Sequence, residues 1–401
     1  MKPDRVRVVV VGSGWSGTAM VHALRRHLDS RYIDLWVVDP VVRQAFAPAL
    51  PQALGWPALK ALCSTWSPRP LWRKARVRWV RDLAVDLDPV ARRLTLAVHP
   101  PLSYDLGVVA TGGRPHWDAI PGLDGGLPSL ATLAHAALVA ARLPRFAAGG
   151  RMVMVAAAAP DGSSRPLPDL PLVSTLARFR RTPPAHGQGT HWTLVVPTPR
   201  PAPLLGQTGS QTVAQLLVES GVELLTGATV VARQGSTLHL VRDGHEERLR
   251  FDHLVWLPPW TAHRWIRQSG LAGPGGAIPV TVWQQHVSHP DLYALGDAAD
   301  SGPPWGSLAT LGAEAAALHI AHRLDNRPLP SSVPDLVEWM GWVTPGRGVY
   351  AVAWGGRTVA FVQPWPTDFA LGWQAAWARQ RGWIPLLYPV RPSRAEQRRE
   401  A

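Results

Sequence analysis

The chain has 401 residues, 46% of them apolar and only 17% charged, which excludes a disordered polar chain and allows two or three domains with sizeable cores. The formal charge of +13 comes almost wholly from arginine, since lysine occurs only at positions 2, 60 and 74. That charge favours anionic ligands or an anionic membrane surface, whereas no nucleic-acid motif accompanies it, so no nucleic acid is expected as a partner.

Cys63 is the sole cysteine, which excludes an intramolecular disulfide, a thiolate metal cluster and dithiol chemistry within one chain. No metal site is expected. No apolar run is long enough for a transmembrane helix. The short run Val8 to Val11 leads straight into a glycine loop, which argues against a signal peptide. The arginine, alanine and proline usage suggests a GC-rich bacterial genome, and a cytoplasmic protein is expected.

Val6 to Val11 reads as a buried strand. Gly12-Ser13-Gly14-Trp15-Ser16-Gly17 follows, and Thr18 to His27 has helical spacing. Strand, GxGxxG and helix together are the fingerprint of a dinucleotide site. Gly12 permits the tight turn, Gly14 lets the backbone approach a pyrophosphate, and Gly17 lets the helix pack on the strand. The helix N-terminus then offers N–H groups and partial positive charge to the phosphates. A second strand, Ile33 to Val38, ends at Asp39, 22 residues after Gly17, where an acid can accept from a ribose hydroxyl.

Phe46-Ala47-Pro48-Ala49-Leu50-Pro51 reads as a proline-punctuated loop. Arg76 to Val80 and Arg93 to Val98 read as strands of a small antiparallel insert with a turn at Asp88-Pro89. Tyr104 to Gly113 reads as a strand closing on Ala110-Thr111-Gly112, whose small residues let the backbone approach a cofactor. Leu130 to Leu143 reads as a helix, and Arg151 to Ala156 as a strand that opens a second βαβ unit.

No glycine pattern follows that strand. Ala157-Ala158-Ala159-Pro160-Asp161-Gly162-Ser163-Ser164-Arg165 stands there instead, and the next strand, Trp192 to Val196, ends in Pro197 with no acid for a ribose. Arg200 could meet a phosphate, although a solvated surface arginine is the plainer reading. The second unit thus keeps the form of a nucleotide domain without its nucleotide-binding pattern.

Thr212 to Ser220 reads as a helix and Val222 to Leu225 as a strand. Leu238 to Val241 and Glu247 to Phe251 flank Asp243-Gly244 as a hairpin. Leu254 to Leu257 is a further strand. Asp291 to Asp297 reads as a strand ending in Gly296-Asp297, an acid placed to meet a ribityl hydroxyl, and Ser307 to Arg323 as an alanine-rich helix. In the tail, Phe369, Trp373 and Trp377 share one helical face beside many arginines. That face suits a bilayer interface, the protein's own core or a second subunit, so a homodimer stays open.

The motifs together resemble those of the FAD-dependent pyridine nucleotide-disulfide oxidoreductase superfamily, near sulfide:quinone oxidoreductases and type II NADH dehydrogenases. Gly12, Gly14, Trp15, Ser16 and Gly17 are similar to the FAD diphosphate loop, with Asp39 on the adenosine ribose. Ala47 and Pro48 resemble the stretch near the flavin. Thr111 and Gly112, and Gly296 and Asp297, resemble the second and third FAD motifs. Phe251 to Pro259 resembles the sulfide:quinone branch.

The resemblance implies an α/β fold of two Rossmann-like dinucleotide-binding domains, the second inserted into a discontinuous FAD domain, with a C-terminal membrane-type extension. The expected limits are 1–118 and 276–330 for the FAD domain, 119–275 for the second domain and 331–401 for the Trp/Arg-rich end. It implies FAD as cofactor, quinone and a small reduced donor as partners, and a peripheral place on the inner membrane.

The departures bear on mechanism. Ser163 and Ser164 stand in the region of a redox cysteine of the sulfide:quinone branch, and a hydroxyl forms no persulfide. Ser307 and Leu311 stand where NADH dehydrogenases carry quinone-side glutamines. No catalytic residue is assigned; His253 and His263 lie near strand ends, where a structural role is the plainer reading. The expected function is transfer of two electrons from an undetermined small donor to quinone at the membrane surface. The alternatives are an NAD(P)H:quinone oxidoreductase with an atypical nucleotide site, and a flavin-binding protein without turnover acting as a partner or scaffold.

Overall fold

The computed structural model describes residues 5–42, 44, 68–146, 149–166, 169, 172–173, 175–176, 189–302, 306–333, 337–344, 347–354 and 357–364. Strand β1 (Val6–Val11), helix α1 (Trp15–His27) and strand β2 (Ile33–Val38) open the chain. Helix α2 (Arg69–Lys74) and strand β3 (Arg78–Val80) follow. β3 corrects the sequence reading. It runs parallel to β2, with Trp36 opposite Arg78, and is no part of an antiparallel insert. Val77 and Trp79 pack with Leu35 and Val37 against one core, a burial that a strand in a small insert could not reach.

The insert is built instead from β4 (Ala84–Asp88), β5 (Arg93–Leu96) and β6 (Leu102–Ser103), paired antiparallel. Its first turn does fall at Asp88, whose Oδ1 accepts the N–H groups of Val90 and Ala91. Strands β7 (Leu106–Val109) and β8 (Arg114–Pro115) come next, then α3 (Leu133–Phe146) and β9 (Gly150–Ala156). After β10 (Thr190–Val195), α4 covers Gly206–Glu219, starting six residues before the expected Thr212. Buried Gly209 and Ser210 explain the extra turn, since packing there outweighs weak helix propensity.

Strands β11 (Val222–Leu225), β12 (Ala228–Gln234), β13 (Thr237–Arg242), β14 (His245–Arg250), β15 (His253–Leu257) and β16 (Trp260–Thr261) follow. The β13–β14 hairpin turns on Asp243 and Gly244, both at positive φ (51° and 78°), the geometry that a tight two-residue hairpin needs. Helix α5 (Arg264–Gln268), β17 (Leu292–Ala294) and α6 (Gly306–Leu324) lead to β18 (Val337–Thr344), β19 (Arg347–Trp354) and β20 (Arg357–Pro364).

Two parallel sheets dominate. The first has the order β17-β7-β1-β2-β3, and every neighbouring pair is parallel. Val8 and Val10 face a core shared with α1 and α6, through Met20, Leu24, Ala313 and Ile320. Val9 and Val11 face the opposite core, with Val109, Leu94 and Trp265. Burial on both faces is why β1 reads as an unbroken apolar run rather than an alternating one. The second sheet, β11-β10-β9-β15, is likewise parallel. Met152 and Met154 of β9 face a core with Val139, Leu216 and Leu217, while Val153 and Val155 face one shared with Val230, Leu238 and Leu240.

The chain enters the first sheet at β1, moves to β2 on one side and later to β7 on the other. The carboxyl ends of β1 and β7 therefore flank a topological switch point, where open α/β sheets bind ligands. Strands β18 to β20 form an antiparallel sheet that packs on α4. Trp339, Trp342 and Trp354 fall on these strands. Phe369, Trp373 and Trp377 lie outside the described residues, as do Cys63, Ala47 and Pro48. Among the described residues no helix is long and apolar enough to cross a membrane, and no group of His, Cys, Asp and Glu could hold a metal ion.

Candidate functional site

Three turns meet at the carboxyl ends of β1, β7 and β17. The turn after β1 is the tightest. Gly12 sits at φ +100°, and a Cβ on it would fall 2.5 Å from the Ala110 carbonyl oxygen. A Cβ on Gly17 would fall 2.0 Å from the Gly12 carbonyl oxygen. Both glycines are thus demanded by packing. Gly14 is different: a Cβ there would meet nothing within 4 Å. It is the N-cap of α1, its φ of −66° suits any residue, and neither a capping side chain nor a first-turn acid occupies that helix end.

Asp39 is buried behind this turn. Its Oδ2 accepts the Ser13 N–H at 2.6 Å and the Gln44 amide at 3.2 Å, and its Oδ1 accepts the Val41 N–H at 2.7 Å. A carboxylate has about four acceptor positions, so about one is left for an external donor such as a ribose hydroxyl. Gln44 also donates to the Ser13 hydroxyl at 2.8 Å. Nothing in the sequence pattern marks Gln44; only the return of the chain after β2 brings it back to the turn.

Trp15 and Ser16 join α1 to the other elements. The Trp15 indole N–H donates to Thr310 Oγ1 of α6 at 3.2 Å. Gly296, at φ +60°, presses on Ser16, so that a Cβ on Gly296 would stand 2.2 Å from the Ser16 hydroxyl. Asp297 follows at the end of β17. Burial pushes its carboxyl above the usual carboxylate range, and the Arg165 guanidinium pulls the other way.

After β7, Gly112 is at φ +66° with open space where a Cβ would be, while Gly113 lies under the Trp260 indole. Thr111 lies beside His263, whose imidazole is lowered by burial and partly restored by a hydrogen bond to the Thr111 backbone. His263 is therefore part of this cluster. His253 is not. It sits at the amino end of β15, beside Phe146 with ring centroids 5.2 Å apart, and bonds the Gly149 carbonyl at 3.2 Å.

The second sheet offers a different surface. The loop after β9 folds toward the first sheet. Ser164, which is buried, meets His116 Nδ1 at 3.1 Å, and Arg165 pairs with Trp260 in an antiparallel bridge. Asp169 ties this loop to the one after β10: both carboxyl oxygens accept the Ala202 N–H, at 3.0 and 2.8 Å. Burial pushes Asp169 up to about 6. Arg200 is exposed, as the plainer reading expects. Ser307 and Leu311 fall on α6.

The family model for pyridine nucleotide-disulphide oxidoreductases matches residues 174–322. A sulfide-quinone reductase of Aquifex aeolicus is 28% identical over 151 residues, a stretch that spans 37% of this chain and 34% of that protein. Among solved structures, the sulfide:quinone oxidoreductase of Aquifex aeolicus superposes with a TM-score of 0.80 at 18% identity, covering 98% of this chain and 95% of the other. NDH2 of Plasmodium falciparum in complex with RYL-552 gives 0.70 at 12% identity, with 97% and 99% covered. The chain thus shares its fold, along nearly its whole length, with these two oxidoreductases, and over residues 174–322 it is similar in sequence to the pyridine nucleotide-disulphide oxidoreductases.

Proposed function

We propose that the protein is an FAD-dependent oxidoreductase that passes two electrons from a small donor to a quinone at a membrane surface. Gly14 carries the reading. The other two glycines of the turn are explained by the protein's own packing. The space at Gly14 is used by nothing in the described chain, and it lies at an uncapped helix N-terminus beside a buried acid. A diphosphate fits that combination of close backbone approach, N–H donors and helix dipole. In this reading Asp39 holds the adenosine ribose, and Thr111, Gly112, Gly296 and Asp297 hold the ribityl and flavin end. Bound there, the flavin supplies the two-electron chemistry, and the chain supplies position and electrostatics.

Quinone as acceptor rests on the fold shared with a sulfide:quinone oxidoreductase, and the membrane surface on the net charge of +13 and the Trp/Arg-rich end. The donor is left as a class. Ser163 and Ser164 cannot carry sulfur as a persulfide, and a lone Cys63 cannot form the dithiol pair of one chain. Nicotinamide is disfavoured by the loop after β9, where Asp169 and Arg165 spend their polar groups on the protein itself.

The test needs no knowledge of the donor. The holoenzyme is reduced anaerobically with dithionite, excess reductant is removed, and a water-soluble quinone is added. Reoxidation of the flavin within seconds is expected. A reduced flavin that persists for many minutes in excess quinone contradicts the proposal.

A further inference from the structure

Arg165 stands out as a partly buried charge whose work lies outside its own sheet. It follows β9, yet its guanidinium reaches the turn after β17. Nη2 donates to the Asp297 carbonyl at 2.7 Å, and Nη1 to the carbonyls of Ala299 at 3.1 Å and Gly302 at 3.3 Å. The Asp300 carboxylate is further off, at 3.8 Å, and exposed. The side chain is only 18% exposed. The short 3-10 turn Gly296–Ala298 leaves carbonyls at and beyond its end without partners of their own, and a planar fork with several fixed donors can serve three at once.

The same residue also reaches the turn after β7. Its N–H donates to the Trp260 carbonyl at 2.9 Å and its carbonyl accepts the Trp260 N–H at 2.7 Å. That bridge fixes Trp260, whose indole covers Gly113 so closely that a Cβ there would stand 2.2 Å from its ring. Trp260 pairs in turn with Pro115 of β8. One residue therefore sets two of the three turns, those carrying Gly112 and Asp297. The third, with Gly12, Gly14 and Asp39, is built by Ser13, Gln44 and Val41 without it.

We propose that Arg165 is a positioning residue for the ribityl end of the flavin cofactor, and that the groove has two separately built halves. One half, around Gly14 and Asp39, takes the ADP portion. The other, around Gly112 and Asp297, takes the ribityl portion and depends on Arg165. The inference rests on the flavin reading above and adds a residue from the second sheet to it. Asp297 touches the cofactor in this scheme; the Arg165 side chain acts through the carbonyls of Asp297, Ala299 and Gly302, while its backbone bridge to Trp260 is kept whatever the side chain.

The test compares two ligands on one protein. The full chain is stripped of flavin, and the affinities for FAD and for ADP are measured by calorimetry in the wild type, Arg165→Gln and Arg165→Lys. Arg165→Gln removes both charge and fork, so FAD should bind at least tenfold more weakly. Arg165→Lys keeps the charge but can serve only part of the turn, so its FAD affinity should fall between the two. ADP affinity should stay within twofold of wild type in both variants, which also reports that the glycine turn is folded. FAD and ADP weakened by equal factors in both variants would overturn the proposal, because Arg165 would then be a general support of the fold. FAD affinity unchanged in Arg165→Gln would overturn it too. A wild-type chain that binds ADP but not FAD overturns the flavin reading itself, and this inference with it.

Discussion

Gly17 lies directly against the carbonyl of Gly12: a Cβ on Gly17 would stand 2.0 Å from that oxygen. Helix α1 can therefore start where it does only while position 17 lacks a side chain. Gly17→Ala should push the helix off the turn and cost on the order of 2–4 kcal/mol, the size of a severe steric substitution. Gly12→Ala adds left-handed strain to a backbone clash and should cost at least as much. Gly14→Ala meets open space at an ordinary φ, so its stability should stay within about 1 kcal/mol of wild type. It should nonetheless lose FAD affinity at least tenfold, because the new methyl occupies the space offered to the diphosphate. Urea unfolding and FAD titration of the three variants separate these outcomes.

Asp39 gives a second test. Three donors converge on its two oxygens: Ser13 N–H and the Gln44 amide on Oδ2, Val41 N–H on Oδ1. In Asp39→Asn one of the two terminal atoms becomes an NH2 group that faces a donor. A buried mismatch of this kind costs about 1–3 kcal/mol. The variant should unfold at lower urea even without ligand and bind FAD more weakly. Gln44→Ala removes a donor instead and leaves the carboxylate intact, so its stability loss should be less than half as large. Equal stability in Asp39→Asn and wild type would show that the cluster is not under the constraint described.

Much of this site was legible in the residues because its signals are local. β1, the glycine turn, β2 and Asp39 lie within a short run, and Gly12 and Gly17 each announce a close backbone approach that no other residue allows. The β13–β14 hairpin was legible for the same reason, through Asp243-Gly244. What escaped is non-local. Gln44 matters only because the chain after β2 turns back on Ser13. Arg165 looks like any surface arginine until its reach to Ala299 and Gly302 is seen. The sequence points β3 to the wrong sheet because parallel partners far apart in sequence leave no turn signal. His253 and His263 both read as strand-end residues, and only the structure shows that His263 lies beside Thr111 while His253 packs on Phe146.

Asp169 predicts a pH dependence. Its folded-state value is pushed up to about 6 from an ordinary 3.8, because burial favours the neutral acid. As pH rises, the unfolded chain ionises at this residue first. Stability should therefore fall between about pH 4 and 6 and level off above, by at most on the order of 3 kcal/mol from this group. Asp169→Asn keeps an oxygen to accept the Ala202 N–H but cannot ionise. It should be more stable than wild type at pH 7 and similar to it at pH 4. Parallel urea midpoints for both proteins across that range would show that Asp169 does not carry the slope.

The same residue bears on nicotinamide. Among the described residues of the loop after β9, Asp169 holds Ala202 and Arg165 is turned toward Asp297, so neither is offered to a second diphosphate. NADH added without oxygen should leave the flavin band intact, and dithionite should then bleach it. Prompt bleaching by NADH at micromolar concentration would show a working nucleotide site and replace the small-donor reading with the nicotinamide one.

If the groove above β1, β7 and β17 holds FAD, the flavin content of the full chain after incubation with FAD and removal of the excess shows it directly. The wild type should retain one FAD per chain without covalent attachment, released on denaturation, while Gly14→Ala should retain little. A wild-type chain that holds no more flavin than the Gly14→Ala variant would contradict the account at its base.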